Sequence, residues 1–187
     1  MNNDAEHLWD FAVAVYEEDG IKAACLRVQA RYGLSISLLL GAIWAGMNGY
    51  GRLGATELET TIRRALEWHR DVIEPMRALR RLLRQQPPGG VEQQTHELRK
   101  QLLEAELNAE RIEQRLFLQD FARDLPVAPE AERWRDAAIN GALLMRKSCP
   151  RPEPEAQDAL AQIIHAACPQ TPFGDLYREI ESAWVVS

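Results

Sequence analysis

The hydrophobic positions of this chain recur every three or four residues, which is the period of an amphipathic α-helix. The spacing predicts three helices, from about Ala5 to Glu18, from Ile21 to Tyr32 and from Ser35 to Asn48. The third is apolar on almost every side, so we expect it to lie in the centre of the core. No segment shows the alternation of a β-strand. The pattern predicts an all-α fold with a three-helix N-terminal part, residues 5–50.

The longest helical pattern covers residues 55–123 and consists of two heptad-like segments. In the first, one histidine and seven apolar residues follow at spacings of four and three: Leu58, Ile62, Ala65, His69, Val72, Met76, Leu79 and Leu83. The second repeats the spacing with Leu98, Leu102, Ala105, Ala109, Ile112 and Leu116. The sequence QQPPGG at residues 85–90 is a turn signal between them. We therefore predict a multi-helix bundle with a long antiparallel, coiled-coil-like helical hairpin.

Two further features complete the predicted architecture. Pro75 lacks a backbone N–H and its ring crowds the preceding turn, so we expect a kink about one turn before it. Residues 128–187 show three shorter helical patterns, which we predict as C-terminal helices. The 187 residues are consistent with a single helical domain over residues 1–187. The pattern leaves open whether the C-terminal helices share the main core.

Composition narrows the classes of function. The net charge of −6 disfavours general nucleic-acid binding, which needs many basic contacts to phosphate. The three cysteines are an odd number and form no CxxC motif, which favours a reducing compartment and no disulfides. The acidic N-terminus is unlike a signal peptide. The longest apolar run falls short of the roughly 20 residues of a membrane span. We expect a cytoplasmic protein without membrane segments.

Three blocks of sequence resemble a known family. They are KAACLRVQARYGLSISLLL at residues 22–40, WHRDVIEPMRALRR at residues 68–81 and AELNAERIEQ at residues 105–114. Together they resemble an uncharacterised family of small all-helical proteobacterial proteins, classed as a domain of unknown function, over about residues 8–120. The family has no assigned activity. The resemblance therefore implies a cytoplasmic bacterial protein and carries over no catalytic residue.

The charged residues beside the predicted seam are the main candidate site. Arginines recur every seven residues at Arg63, Arg70, Arg77 and Arg84, and Arg80 and Arg81 add positive charge near the tip. On the return arm, Glu106, Glu110 and Glu113 share one face. With the turn near residue 88, antiparallel register predicts that Arg70 pairs with Glu106 or Glu110. Interhelical salt bridges that set the register are the simplest interpretation. An anion or partner site and a pKa-perturbed carboxylate pair are the alternatives.

Other reactive side chains give weaker signals. His69 occupies a seam position, where we expect a core histidine bonded to a carboxylate, with a titrating or ligand-facing group as the alternative. His165 and Cys168 form half of a possible metal site, and neither HExxH nor the ExxH pairs of di-iron bundles occur. A cysteine nucleophile needs an activating base, and Cys25 lies on an apolar helix face while Cys149 lies near a helix C-terminus, the wrong end to lower the pKa of a thiol. We predict no catalytic residue, no metal and no cofactor.

These observations favour a non-enzymatic protein–protein interaction or adaptor protein that associates with itself as a homodimer or binds an unknown protein. Candidate ligand or partner contacts are Trp68, His69, Arg70, Arg77, Arg80, Arg81, Arg84, Glu106 and Glu110. Five large apolar residues lie off the seam and need cover: Leu66, Leu82, Leu103, Leu107 and Phe117. The alternative is a small anionic-ligand sensor or an unrecognised enzyme with a pocket near the Pro75 kink. Nucleic-acid binding through the basic tip is less expected, because no aromatic residues are interleaved with the arginines.

Overall fold

The computed structural model describes residues 2–185, and that part of the chain contains helices and no strands. The helices are α1 (Asn2–Glu17), α2 (Ile21–Tyr32), α3 (Ile36–Met47), α4 (Ala55–Trp68), α5 (Glu74–Gln85), α6 (Glu92–Asp120), α7 (Arg133–Ser148), α8 (Pro154–Ala167) and α9 (Phe173–Val185). A π-helical turn, His69–Ile73, joins α4 to α5, so that the two form one interrupted helix. The prediction of an all-α fold is confirmed.

α3 lies at the centre of the core, as its apolar sequence predicts. Every residue from Leu38 to Gly46 is buried. α7 crosses α3 so closely that a Cβ atom added at Gly46 would lie 2.3 Å from the backbone nitrogen of Ala137. Glycine is required at this position because no side chain fits between the two backbones. The C-terminal helices are therefore packed directly against the central helix of the N-terminal part.

Two buried polar residues of α7 form hydrogen bonds to the loop that follows α3. The Asn140 side chain accepts a hydrogen bond from the backbone N–H of Leu53 at 2.8 Å and donates one to the carbonyl of Gly51 at 3.0 Å. The Asp136 carboxylate accepts from Arg52 Nε at 3.0 Å and from the backbone N–H of Ala128 at 2.8 Å. Both side chains are fully buried. Buried residues from the N-terminal, hairpin and C-terminal parts accordingly form one contiguous hydrophobic cluster.

The interrupted helix α4–α5 runs antiparallel to α6. Contacts across the pair reverse in order along the chain: Arg64 meets Asp120, Trp68 meets Ala109, and Arg80 meets Glu106. α6 has 29 residues and is about 44 Å long. α6 packs on α1, α3, α4 and α5. Its hydrogen bonds to α3 and α4 lie at residues 109–120, and those to α5 lie at Glu106 and Glu110. We call residues 74–112 the distal arm and residues 86–91 its tip.

The predicted kink lies where Pro75 places it and takes the form of a π-helical turn. The backbone N–H of Glu74 donates to the carbonyl of His69, five residues earlier. Pro75 follows directly, at the start of α5, where a missing N–H costs least. The wider turn thereby removes the clash that a proline causes in a regular α-helix.

The buried strip of α6 departs from the predicted heptad seam. Leu98 and Ile112 were expected to be buried and are exposed, while Glu106, Glu113 and Gln114 are buried. The C-terminal half of α6 packs between α4 and the helices α1 and α3, so the buried face is the one shared by all of them. Of the off-seam residues, Phe117 is buried against Gly41, and Leu66, Leu82, Leu103 and Leu107 are exposed.

Among the described residues, 2–185, no single helix is both long and apolar enough to cross a bilayer. Only α2 and α3 taken together reach that length and composition, and the pair is bent by 119°. No group of three or more His, Cys, Asp or Glu side chains in this range has the arrangement of a metal site.

Candidate functional site

A cluster of charged side chains connects the π-helical turn and α5 to the buried face of α6. We call it the charged cluster, and its members are His69, Glu74, Arg77, Arg80, Glu106, Glu110 and Glu113. The π turn and α5 supply the cations and one carboxylate, and α6 supplies three carboxylates at spacings of four and three residues, one face of the helix. Glu106 and Glu113 are almost completely buried.

Two arginines of α5 bind the carboxylates of α6. Arg80 forms a two-pronged contact with Glu106, at 2.6 Å from Nε and 3.1 Å from Nη2. Arg77 donates to Glu110 at 2.9 Å and to Glu74 at 3.0 Å. The hydrogen bond to Glu106 raises the pKa of the Arg80 guanidinium further. A planar guanidinium suits such two-pronged pairing, which fixes the position of one helix along the other.

The predicted pairing of Arg70 with Glu106 or Glu110 is wrong. Arg70 faces solvent and binds its neighbour Asp71 through Nε at 2.6 Å. Side chains in an α-helix lean toward its N-terminus. α5 starts near the core and α6 starts at the tip, so arginines of α5 lean toward the core and glutamates of α6 lean toward the tip. The glutamates therefore meet Arg77 and Arg80, which lie nearer the tip than Arg70 does.

His69 connects the charged cluster to the core. Its Nδ1 lies 2.8 Å from Oε1 of Glu113, and its Nε2 lies 3.2 Å from Glu74. Ser35, which caps α3 by accepting from the backbone N–H of Leu38, donates its hydroxyl to the other oxygen of Glu113 at 3.0 Å. This chain of hydrogen bonds joins the π turn, α6 and the N-cap residue of the central helix.

The environment of His69 favours its charged form. Burial lowers the pKa of His69, but the hydrogen bond and the charge of Glu113 outweigh burial, and the net pKa is raised. Only the imidazolium carries an N–H on both ring nitrogens and so can donate to two carboxylates at once. The core-histidine interpretation fits this geometry, with a carboxylate partner on each side of the ring.

Glu110 lies at the border between the charged cluster and α1. Burial raises the pKa of its carboxyl, Arg77 opposes this, and the charges of Glu113 and Glu106 add to the rise. Burial likewise raises the pKa of Tyr16 on α1, with smaller contributions from Cys25 and Glu110. The backbone carbonyl of Glu110 accepts a hydrogen bond from Ser37 at 3.4 Å. Glu110 is therefore held by contacts to two neighbouring helices.

The remaining candidates lie around the charged cluster. Trp68 is half-buried, and its indole N–H donates to the carbonyl of Ala109 at 2.9 Å. Arg81 is largely exposed, 3.7 Å from Glu74. Arg84 is exposed at the end of α5. Trp68 and His69 are thus held on α6 by hydrogen bonds to Ala109 and Glu113. An open depression of about 480 Å³ lies along α4, lined by Thr60, Arg63, Arg64, Glu67 and Asp120.

Sequence reasoning missed three members of this arrangement, Glu74, Glu113 and Ser35. Glu74, beside the predicted kink, was not among the candidate residues. Glu113 was placed on the acidic face but not among the site residues, although its spacing of seven from Glu106 puts it on the same side of α6. Ser35 gave only the signal of a helix N-cap, and nothing in its local sequence indicates a buried carboxylate 78 residues away. Such a contact depends on the packing of α3 against α6.

The fold and the charged cluster define an all-helical protein whose interrupted hairpin is joined to its core by buried ion pairs. Residues 7–117 match the family described as "Protein of unknown function (DUF2390)", and the chain belongs to that family. The match begins in α1 and ends in α6, and so contains the whole charged cluster. The resemblance to an uncharacterised helical family is confirmed. No curated protein and no solved structure matches the chain.

Proposed function

We propose that this chain is a non-enzymatic helical interaction protein that self-associates through its distal arm. The observation that carries the proposal is apolar surface left uncovered on the arm. α5 has no buried residue. Six large apolar side chains of the arm are more than two-fifths exposed: Leu79, Leu82, Leu98, Leu103, Leu107 and Ile112. Exposed apolar residues concentrated in one part of a molecule are typical of a protein–protein contact surface.

The predicted coiled-coil packing fits this proposal better than it fits an isolated chain. Leu79, Leu98 and Ile112 are seam positions of the heptad pattern, yet all three are exposed. In a two-helix hairpin, each helix buries only one side of the other. Further helices are needed to bury the seam residues that stay exposed. In this proposal the charged cluster sets the register of α5 on α6, and the leucines supply the contact with a partner.

The test is the mass of the whole chain in solution. Analytical ultracentrifugation between about 1 and 100 µM should show a reversible monomer–dimer equilibrium, because a contact of this kind is typically in that range of affinity. A strict monomer at the highest concentration would refute self-association. Co-purification of a stoichiometric, identified protein that protects α5 from hydrogen exchange would support an adaptor role instead.

A second candidate is a sensor of small anionic ligands at the same kink. The observation that favours it is Arg81, whose guanidinium is exposed beside Glu74, at 3.7 Å. A phosphate or carboxylate could replace Glu74 there, because guanidinium groups bind both. Thermal-shift measurements with phosphate, citrate and a dicarboxylate test this function. A shift abolished by Arg81→Ala and unchanged by Arg63→Ala would support it, and the absence of any shift would refute it.

A further inference from the structure

We infer that the π turn is a pH-dependent joint, at which the protonated ring of His69 holds Glu74, the first residue of α5, and loss of a ring proton releases it. Once this contact is lost, α5 separates from α6 more often, while α4 and the core stay in place. The joint consists of His69, Glu74 and Glu113. The release takes place within one chain and does not depend on self-association.

Both contacts of the joint need a proton on the ring of His69. Oε1 of Glu113 lies 2.8 Å from Nδ1, and Oε1 of Glu74 lies 3.2 Å from Nε2. An ionised carboxylate only accepts hydrogen bonds, whereas a neutral imidazole carries a single N–H and a lone pair on its other nitrogen. Deprotonation of His69 therefore leaves one of the two carboxylates facing a lone pair, and that contact becomes repulsive.

The surroundings of the two carboxylates determine which contact is lost. The Glu113 side chain is fully buried and also accepts a hydrogen bond from the Ser35 hydroxyl. The Glu74 side chain is 47% exposed, accepts from Arg77 at 3.0 Å and lies 3.7 Å from Arg81. Loss of a donor costs more for a buried carboxylate than for one that water and arginines reach. The remaining N–H therefore stays with Glu113, and Glu74 is released.

Release at Glu74 affects α5 because this helix is weakly attached. Ile73, the last residue of the π turn, is fully buried and anchors the turn. α5 begins one residue later and has no buried residue. Pro75 has no N–H, so the junction lacks one backbone hydrogen bond. The attachment of α5 to α6 depends on half-buried side chains and on the ion pairs of Arg77 and Arg80. Such an element opens locally at a lower free energy than buried helices do.

The sign of the pH dependence distinguishes His69 from its charged neighbours. α4, α5 and α6 contact the π turn. The charged groups around the ring are Glu67 on α4, Arg70 and Asp71 on the turn, Glu74 and Arg77 on α5, and Glu110 and Glu113 on α6. Burial lowers the pKa of His69, Glu113 and Glu74 raise it and Arg77 lowers it, and the net pKa is raised. Burial raises the pKa of Glu110, whose ionisation strengthens its hold on Arg77 as the pH rises. A weaker attachment of α5 at higher pH therefore reports His69.

Amide hydrogen exchange of the full chain between about pH 5.5 and pH 8.5, corrected for intrinsic rates, tests the joint. Protection of α5 should fall about two- to fivefold as His69 loses its proton, the effect of a partly exposed ion pair. Glu74→Gln keeps an acceptor oxygen and adds a donor for the neutral ring, so protection of α5 should become nearly independent of pH. The matched control Glu67→Gln removes an exposed charge on α4 and should keep the wild-type pH dependence.

Urea separates local release from unfolding of the whole chain. α5 should exchange faster than α3 and depend less on urea, because its opening exposes less surface. Equal rates and equal urea dependence in α5 and α3 would overturn the inference. Protection of α5 that does not change with pH in the wild type, or that changes equally in Glu74→Gln, would also overturn it.

Two further measurements keep the inference independent of the other proposals. An NMR titration should give a lower pKa for His69 in Glu74→Gln than in the wild type, and equal values would show that Glu74 does not hold the ring. The exchange of α5 should be the same after tenfold dilution of the chain. A pH effect that disappears on dilution would come from dissociation of a dimer, which would overturn the joint and leave self-association standing.

Discussion

Glu113 offers the sharpest test of how the hairpin is joined to the core. Its side chain is fully buried and accepts hydrogen bonds from His69 at 2.8 Å and from Ser35 at 3.0 Å. Glu113→Ala leaves two buried donors without an acceptor, and each such loss costs about 1–3 kcal/mol. Removal of one partner from a buried ion pair costs about 3–5 kcal/mol. We therefore expect the free energy of unfolding to fall by about 3 kcal/mol.

The assay is urea unfolding followed by circular dichroism at 222 nm, with equal m-values as evidence that the same surface unfolds. Glu104→Ala, on an exposed face of the same helix, is the matched control and should change stability by less than about 0.5 kcal/mol. A double-mutant cycle with His69→Ala should give a coupling energy of about 1–3 kcal/mol. A loss below about 0.5 kcal/mol for Glu113→Ala, or additivity of the two substitutions, would refute the proposed connection.

Three further outcomes follow from the structure. Because the pKa of His69 is raised, the stability that its charge provides should be complete below about pH 6.5 and lost as the pH rises through the folded-state pKa, which an NMR titration should place above that value. Arg80→Ala should destabilise the chain by about 1–3 kcal/mol in urea, because it leaves a buried carboxylate without its main partner, whereas Arg84→Ala should be nearly neutral. Gly46→Ala should cost more than about 2 kcal/mol by collision with α7, whereas Gly174→Ala, with open space around it, should be neutral or slightly stabilising in thermal unfolding.

The fold was predictable where the composition of a single helix is enough to determine that the helix is buried. α3 is apolar nearly all round, and its burial follows from composition without knowledge of its neighbours. The position of the break before Pro75 follows from the missing N–H and the proline ring, which are local properties. Its form as a π-helical turn was not predicted, because a regular kink and a wider turn both accommodate the proline.

The charged cluster was predictable in its residue types but not in its pairing. Five of the nine candidates, His69, Arg77, Arg80, Glu106 and Glu110, do lie together. A pairing based only on the position of each residue along the hairpin axis selects Arg70, because it leaves out the tilt of side chains toward the N-terminus of each helix. The contact of Ser35 with Glu113 depends on how α3 crosses α6, which no periodicity within either helix encodes.

The failure of the heptad seam on α6 is itself informative about function. A heptad pattern marks positions that are suited to burial between helices, whereas exposure in one chain shows what that chain covers by itself. Ala109 satisfies both conditions, because Trp68 and the core cover it. Leu98 and Ile112 match the heptad pattern and are exposed in this chain. Under the proposed self-association, these are residues that a second chain would cover.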